Sequence, residues 1–127
     1  MTQTPNPKFY DLEERTFVFA KRCRELVRKL PRTICNVEDA RQLVRSSGSV
    51  AANYIEANEA ISRKDFVLRV KIARKEAKES RLRLRLCDSS DGSLHEEPQS
   101  LMAEAAELCK IFGSILEKTK IDGNTKP

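Results

Sequence analysis

Small and apolar residues recur in alternating steps of four and three along residues 62–87, a stretch without Pro or Gly. This spacing is typical of a helix that packs lengthwise against other helices. Ser62 and Asp65 stand at its start with the spacing of a capping box. The pattern therefore predicts a helix over about 63–87, and its inward positions form a core stripe of Phe66, Val70, Ala73, Ala77, Ser80, Leu84 and Cys87.

Similar periodicity predicts three further helices. Pro31 would end the first of them, Asn36 would cap the second with Asp39 three positions on, and Pro98 would open the last. Short connections are expected between most of the helices. The three helices are expected over about 10–30, 37–61 and 98–119.

The middle of the second helix is a run of Ser-Ser-Gly-Ser at 46–49, which is a poor helix former. The apolar positions nevertheless keep their helical phase through this run. We therefore predict one continuous helix, with any bend near Gly48, in preference to a break. The small residues would allow another helix to approach closely.

Four helices joined by mostly short connections predict an all-α fold, an antiparallel up-down-up-down four-helix bundle. The chain of 127 residues is long enough for one core, so we expect a single domain over 1–127. The segments 1–8 and 121–127 are expected to be loose.

A second apolar stripe lies on the same helix as the core stripe but about 180° from it, at about 100° per residue. A wider core cannot explain residues on the opposite face. We therefore predict that another subunit covers this surface. The outer apolar stripe consists of Leu68, Ile72, Leu82 and Leu86.

Positive charge is concentrated on this helix. Residues 63–87 contain ten Lys or Arg and three Asp or Glu, while the whole chain carries a net charge of +5. Five of these cations, spread over about 21 Å at 1.5 Å per residue, share one side of the helix between the two stripes. This basic ridge consists of Lys71, Arg74, Lys78, Arg81 and Arg85.

The basic ridge has two interpretations, a solvated helix face or a set of phosphate contacts to structured RNA or DNA. Phosphate contacts would be nearly independent of sequence, since nothing in the pattern suggests base recognition. Aromatic residues make up only 6% of the chain and none lies on the ridge. Stacking on single strands is therefore disfavoured.

Nothing in the sequence assembles a catalytic or metal site. The four cysteines form no CxxC pair, and His95 is the only histidine. We expect the cysteines to be structural thiols in a reducing cytoplasm, with no cofactor. No apolar run approaches the roughly 20 residues that span a bilayer, so no membrane association is expected. A small helical enzyme resembling chorismate mutases is a third and disfavoured alternative.

Polar residues interrupt the small and apolar segment at the end of the second helix. Asn53 and Glu56 are expected to form a structural hydrogen-bond network with Arg63 or Lys64; ligand binding is the alternative. On the third helix, Glu76 and Glu79 alternate with lysines, which favours an ion-paired surface over a catalytic carboxylate pair.

Within the segment 45–79, three groups of residues form a distinctive pattern: Ser49, Val50, Ala52, Asn53 and Glu56, then Ser62, Asp65 and Phe66, then Ala73, Glu76 and Ala77. With this pattern the segment resembles the four-helix-bundle family of proteins encoded in intervening sequences of bacterial 23S ribosomal RNA genes. That family is similar in turn to the accessory variability proteins of diversity-generating retroelements. The chain has Ala51 where many members have Pro, and Ala57 where many have Gly.

The resemblance implies an antiparallel four-helix bundle that assembles into a pentameric ring. For the retroelement branch it also implies that basic surfaces bind nucleic acid and a reverse transcriptase. It supplies no catalytic residue.

These observations lead to one hypothesis and one rival. The first is a non-enzymatic homo-oligomer that binds structured nucleic acid through the basic ridge, as an accessory to a reverse transcriptase or to ribosomal RNA. The rival is a structural oligomeric scaffold or protein-interaction module, in which acidic residues of a neighbouring subunit pair with the ridge.

Overall fold

The structure, a computed structural model, describes residues 11–88 and 96–124, with side chains placed as far as Lys120. These residues form four α-helices and no strand, as predicted. The predicted loop at 88–93 and the N-terminal segment 1–8 lie almost wholly outside the described residues. The helices are α1 (Leu12–Lys29), α2 (Ile34–Asn58), α3 (Arg63–Leu86) and α4 (Glu96–Asn124).

The start of α2 differs from the prediction. The helix begins at Ile34, because the Thr33 hydroxyl accepts a hydrogen bond from the backbone N–H of Asn36 (3.1 Å) and acts as the N-cap. Asn36 was expected to be the cap, but it lies in the first turn and is buried. Its amide nitrogen donates to the carbonyl oxygens of Pro31 (3.0 Å) and Asp88 (2.6 Å), and its amide oxygen accepts from the Asp88 N–H (3.0 Å).

The caps of α1 and α3 are formed by nearby side chains, whereas the C-terminal ends of α2 and α4 differ from the predicted bounds. Asp11 caps α1 through the Glu13 N–H, and Ser62 caps α3 through the Asp65 N–H, as its spacing predicts. The helix α2 ends at Asn58 rather than near 61, and α4 continues to Asn124, beyond the predicted end at 119.

The weak run in α2 does not break the helix, which confirms the prediction of continuity. Ser46 is fully buried, and its hydroxyl lies 2.8 Å from the hydroxyl of Ser80 on α3. At Gly48, an added Cβ would lie 3.2 Å from the guanidinium of Arg24, which donates to the carbonyl oxygen of Val44. The small residues therefore make room for α3 on one side and for an α1 side chain on the other.

Neighbouring helices run antiparallel and pack in the cyclic order α1, α2, α3, α4, with the most extensive contact between α2 and α3. In each pair, residues near the start of one helix meet residues near the end of the other. The contacts that show this are Glu13 with Asn58, Asp39 with Arg83, Lys29 with Glu97, and Arg63 beside Lys120 in one groove.

All four helices contribute to one core. On α3, Val70, Ala73, Ala77, Ser80 and Leu84 are buried as the core stripe predicts. No helix in the described part of the chain has an apolar stretch suited to crossing a membrane. The largest fully buried side chains are Phe19, Leu26, Leu43, Leu84, Leu101, Leu108 and Phe112.

The buried hydrogen bonds of Asn36 generate a stability prediction. Replacing Asn36 by Ala removes bonds to Pro31 and Asp88, each contributing on the order of 1 kcal/mol. We therefore expect the free energy of unfolding to fall by about 2–3 kcal/mol in urea titrations. The matched control is Asn58→Ala, which removes one exposed bond to Glu13 and should cost under about 1 kcal/mol. Equal losses in the two variants would contradict a special role for Asn36.

Candidate nucleic-acid interface

The basic ridge lies on the side of α3 that faces α4. Lys71, Lys78, Arg81 and Arg85 are exposed and Arg74 is half-buried. The Cys109 thiol on α4 donates to the Arg74 carbonyl oxygen, with a sulfur–oxygen distance of 3.8 Å. The ridge therefore borders the α3–α4 contact.

The opposite side of α3, which faces α2, carries a network of paired charges. Arg45 on α2 lies 3.1 Å from Glu76 and 3.8 Å from Glu79. Arg83 lies 3.0 Å from Asp39 on α2 and 3.1 Å from Glu79. Hydrogen bonds to Glu79 and Asp39 raise the pKa of Arg83 above its ordinary value.

This network confirms that Glu76 and Glu79 belong to an ion-paired surface. Their partners are Arg45 and Arg83 and not the adjacent lysines, because α2 brings Arg45 across the helix contact. The pairs are partly exposed, so each contributes modestly to stability. Their larger effect is to neutralise this side of α3.

The ridge cations differ in their pairing from several other arginines of the described residues. Arg15, Arg45, Arg69 and Arg83 each lie near a carboxylate. Across residues 11–88 and 96–120, the ion pairs include none of the five ridge side chains. Within that part of the chain, the ridge charges remain available to an external anion.

A groove between α3 and α4 continues the ridge toward the start of α3. Its walls bring together cations from both helices, including Lys71 and Arg74 of the ridge, around the apolar Val67 and Leu116. Arg63 adds a charge at the first turn of α3, and Lys120 adds one from α4. We refer to this feature as the α3–α4 groove.

The outer apolar stripe is largely uncovered in the single chain. Leu68, Leu82 and Leu86 are 51%, 45% and 49% exposed, and Ile72 is half-buried. Exposed apolar rows of this kind occur at protein–protein interfaces. It lies directly beside the basic ridge on α3.

Asn53 takes part in a hydrogen-bond network whose other members differ from those expected. Its amide nitrogen donates to the carbonyl and hydroxyl oxygens of Ser49 (3.0 Å each), and its amide oxygen accepts from Arg69 (3.2 Å). Glu56 is exposed and takes no part in these bonds. The Arg69 partner was missed because the sequence does not reveal how α3 is rotated against α2.

The cysteines occupy four different environments. Burial raises the pKa of Cys23 to about 12 and that of Cys87 to about 11. Burial also raises the pKa of Cys109, while nearby Lys78 and Arg74 act in the opposite direction. Cys35 is exposed. Among the residues the structure describes, no three potential ligands come together to hold a metal ion.

Within the described residues, the fold and its surface define a small all-helical protein with an unpaired basic ridge on α3. A family model described as 23S rRNA-intervening sequence protein matches residues 10–114. The chain therefore belongs to the 23S rRNA-intervening sequence protein family, which confirms the family resemblance of the segment 45–79.

A solved structure supports the same relationship. The chain is similar to the crystal structure of a protein with unknown function from the S23 ribosomal protein family of Bacteroides thetaiotaomicron. The two share 28% sequence identity with a TM-score of 0.72, over 84% of this chain and 98% of that chain. A comparison with curated proteins finds no match.

The cysteine environments predict an order of chemical reactivity. In the native protein at pH 8, we expect Cys35 to react first with an alkylating reagent. Cys23 should react at least about 100-fold more slowly, because burial both shields its sulfur and disfavours the thiolate. Mass spectrometry of digested, time-quenched samples measures each rate, with urea-unfolded protein as the control. Comparable native rates for the two cysteines would contradict the burial of Cys23.

Proposed function

We propose that this protein is a non-enzymatic homo-oligomer that binds structured RNA or DNA through the basic ridge. The observation that carries the proposal is the contrast in pairing. Arg45 and Arg83, at the α2–α3 contact, have carboxylate partners, whereas the five ridge cations have none among the described residues.

The chemistry of the ridge suits a phosphate backbone. Lys and Arg side chains that contact phosphates release condensed counterions, which favours binding and makes it depend strongly on salt. The ridge is one straight helix side without aromatic residues, so it offers contacts to the backbone and no platform for bases. We therefore propose binding with little sequence preference.

Assembly would strengthen such binding. We propose that Leu68, Ile72, Leu82 and Leu86 lie between subunits, since their exposure in the single chain favours association. By resemblance to the family, the assembly would be a pentameric ring. A ring presents one ridge per subunit, and several weak phosphate contacts then act together.

The family description makes folded ribosomal RNA the first ligand to test. By the similarity to retroelement accessory proteins, a reverse transcriptase is the proposed protein partner, and the proposed location is the cytoplasm. The rival function, an oligomeric scaffold or protein-interaction module, predicts no affinity for nucleic acid.

The ridge is tested by replacing Arg74, Lys78 and Arg81 with Gln. We expect weaker binding to a folded RNA and to a DNA duplex. The slope of log K against log salt should fall by about 2.7 for B-DNA, at about 0.9 per lost phosphate contact. Fluorescence anisotropy across a salt series measures both quantities.

The matched control replaces Lys21, Arg28 and Lys118, which are exposed cations on α1 and α4. It removes the same charge, so an equal loss of binding would show a general charge effect and would reject the ridge as the site. Failure of the unmodified protein to bind at low salt would instead favour the scaffold.

The outer apolar stripe is tested by changing Leu82 and Leu86 to Glu. Charged side chains cannot be buried unpaired between subunits without a large penalty, so we expect folded monomers. Sedimentation velocity gives the mass, and circular dichroism verifies the helices.

The matched control is Ile34→Glu with Ile61→Glu, two exposed apolar positions outside α3's outer face. We expect this variant to keep the mass of the unmodified protein. An assembly that survives the Leu82 and Leu86 changes would place the subunit interface elsewhere.

A further inference from the structure

The two sides of α3 differ in what they offer a polyanion. On the side of α2, Asp39, Glu76 and Glu79 pair with Arg45 and Arg83. A phosphate there would meet carboxylates as well as cations. On the side of α4, the ridge cations have no carboxylate partner within the described residues. A polyanion is therefore attracted more strongly to the α4 side of α3 than to the α2 side.

The α4 backbone comes close to the ridge at Gly113. An added Cβ at this position would lie 3.8 Å from a terminal nitrogen of the Arg74 guanidinium. No Gly113 side chain therefore separates the Arg74 charge from α4. The charge lies at the junction of the two helices and not on an isolated helix face.

The α3–α4 groove carries the positive surface beyond Lys71. Arg63 and Lys120 lie on its walls together with one carboxylate, Glu117, and Val67 and Leu116 supply apolar surface between the charges. Lys120 has one carboxylate neighbour, Glu117, at 3.7 Å, but both side chains are about 70% exposed. Such a pair is weak, and a phosphate can compete for the lysine.

We infer that the α3–α4 groove is a second part of the nucleic-acid site, with Arg63 and Lys120 as phosphate-binding residues. The inference rests on the proposed function. It assigns the sugar-phosphate backbone to the cleft between α3 and α4, with sugars against Val67 and Leu116, and excludes the face shared by α3 and α2.

The groove also sets the length of ligand that fills the site. From Arg63 to Arg85 the helix rises about 33 Å, at 1.5 Å per residue. One turn of B-DNA is about 34 Å long. The combined surface therefore matches about one turn of a duplex, whereas the ridge alone covers about 21 Å.

The first test replaces Arg63 and Lys120 with Gln in the full-length protein. We expect the Kd for a 20-base-pair duplex to rise at least about tenfold near 0.15 M salt, and the salt slope to fall by about 1.8, for two contacts. The matched control replaces Lys75 and Lys118, exposed cations on the same two helices that do not line the groove. We expect it to change the Kd by less than about threefold.

A second test leaves every cation in place. Gly113→Glu puts a carboxylate beside Arg74, whereas Ser114→Glu puts the same charge one position on, at an exposed site. We expect the Glu at 113 to weaken binding at least about fivefold more than the Glu at 114. Thermal unfolding followed by circular dichroism verifies that both variants fold.

The outcomes separate this inference from the proposed function. Suppose that the Arg74, Lys78 and Arg81 variant loses binding but the Arg63 and Lys120 variant does not. The basic ridge is then supported as a binding site, and the α3–α4 groove is rejected as part of it. Equal losses in the groove variant and its Lys75 and Lys118 control also reject the groove. No binding by the unmodified protein rejects both.

Discussion

The close contact between α2 and α3 is the constraint on which the other surfaces depend. Ser46 and Ser80 are fully buried and their hydroxyl oxygens lie 2.8 Å apart, so the two helices approach as closely as small side chains allow. This contact fixes the rotation of α3 about its own axis. Because side chains on a helix hold fixed angular positions, that rotation also decides which residues of α3 face α2, solvent and α4.

The rotation divides the cations of α3 into two groups with different roles. Arg69 and Arg83 point toward α2, where Asn53 and Asp39 receive them. Those contacts hold the two helices in register, and the nearby Asp39 carboxylate is paired with Arg83. The ridge cations point away from these acids, so the helix keeps its excess of positive charge on one side. A single helix thus supplies both an internal polar contact and an external positive field.

Periodicity was sufficient to predict the four helices, the continuity of α2 and the buried positions of α3, because these follow from local spacing. It failed where a residue serves a distant partner. Asn36 has the local features of an N-cap, but its side chain is hydrogen-bonded to Asp88, and Thr33 is the N-cap of α2 instead. Likewise, the sequence shows ten cations in 63–87 without revealing which of them α2 pairs, since a partner such as Asp39 lies on another helix.

The bond between Asn36 and Asp88 has a consequence for the order of events during folding. The short turn joins α2 and α3 at one end, and the hydrogen bonds between Asn36 and Asp88 connect them at the other. The two helices therefore form a closed hairpin within one continuous segment of the chain. The end at Asn36 and Asp88 joins residues 52 positions apart in the chain. Closing it costs loop entropy, which the contacts along α2 and α3 must first offset.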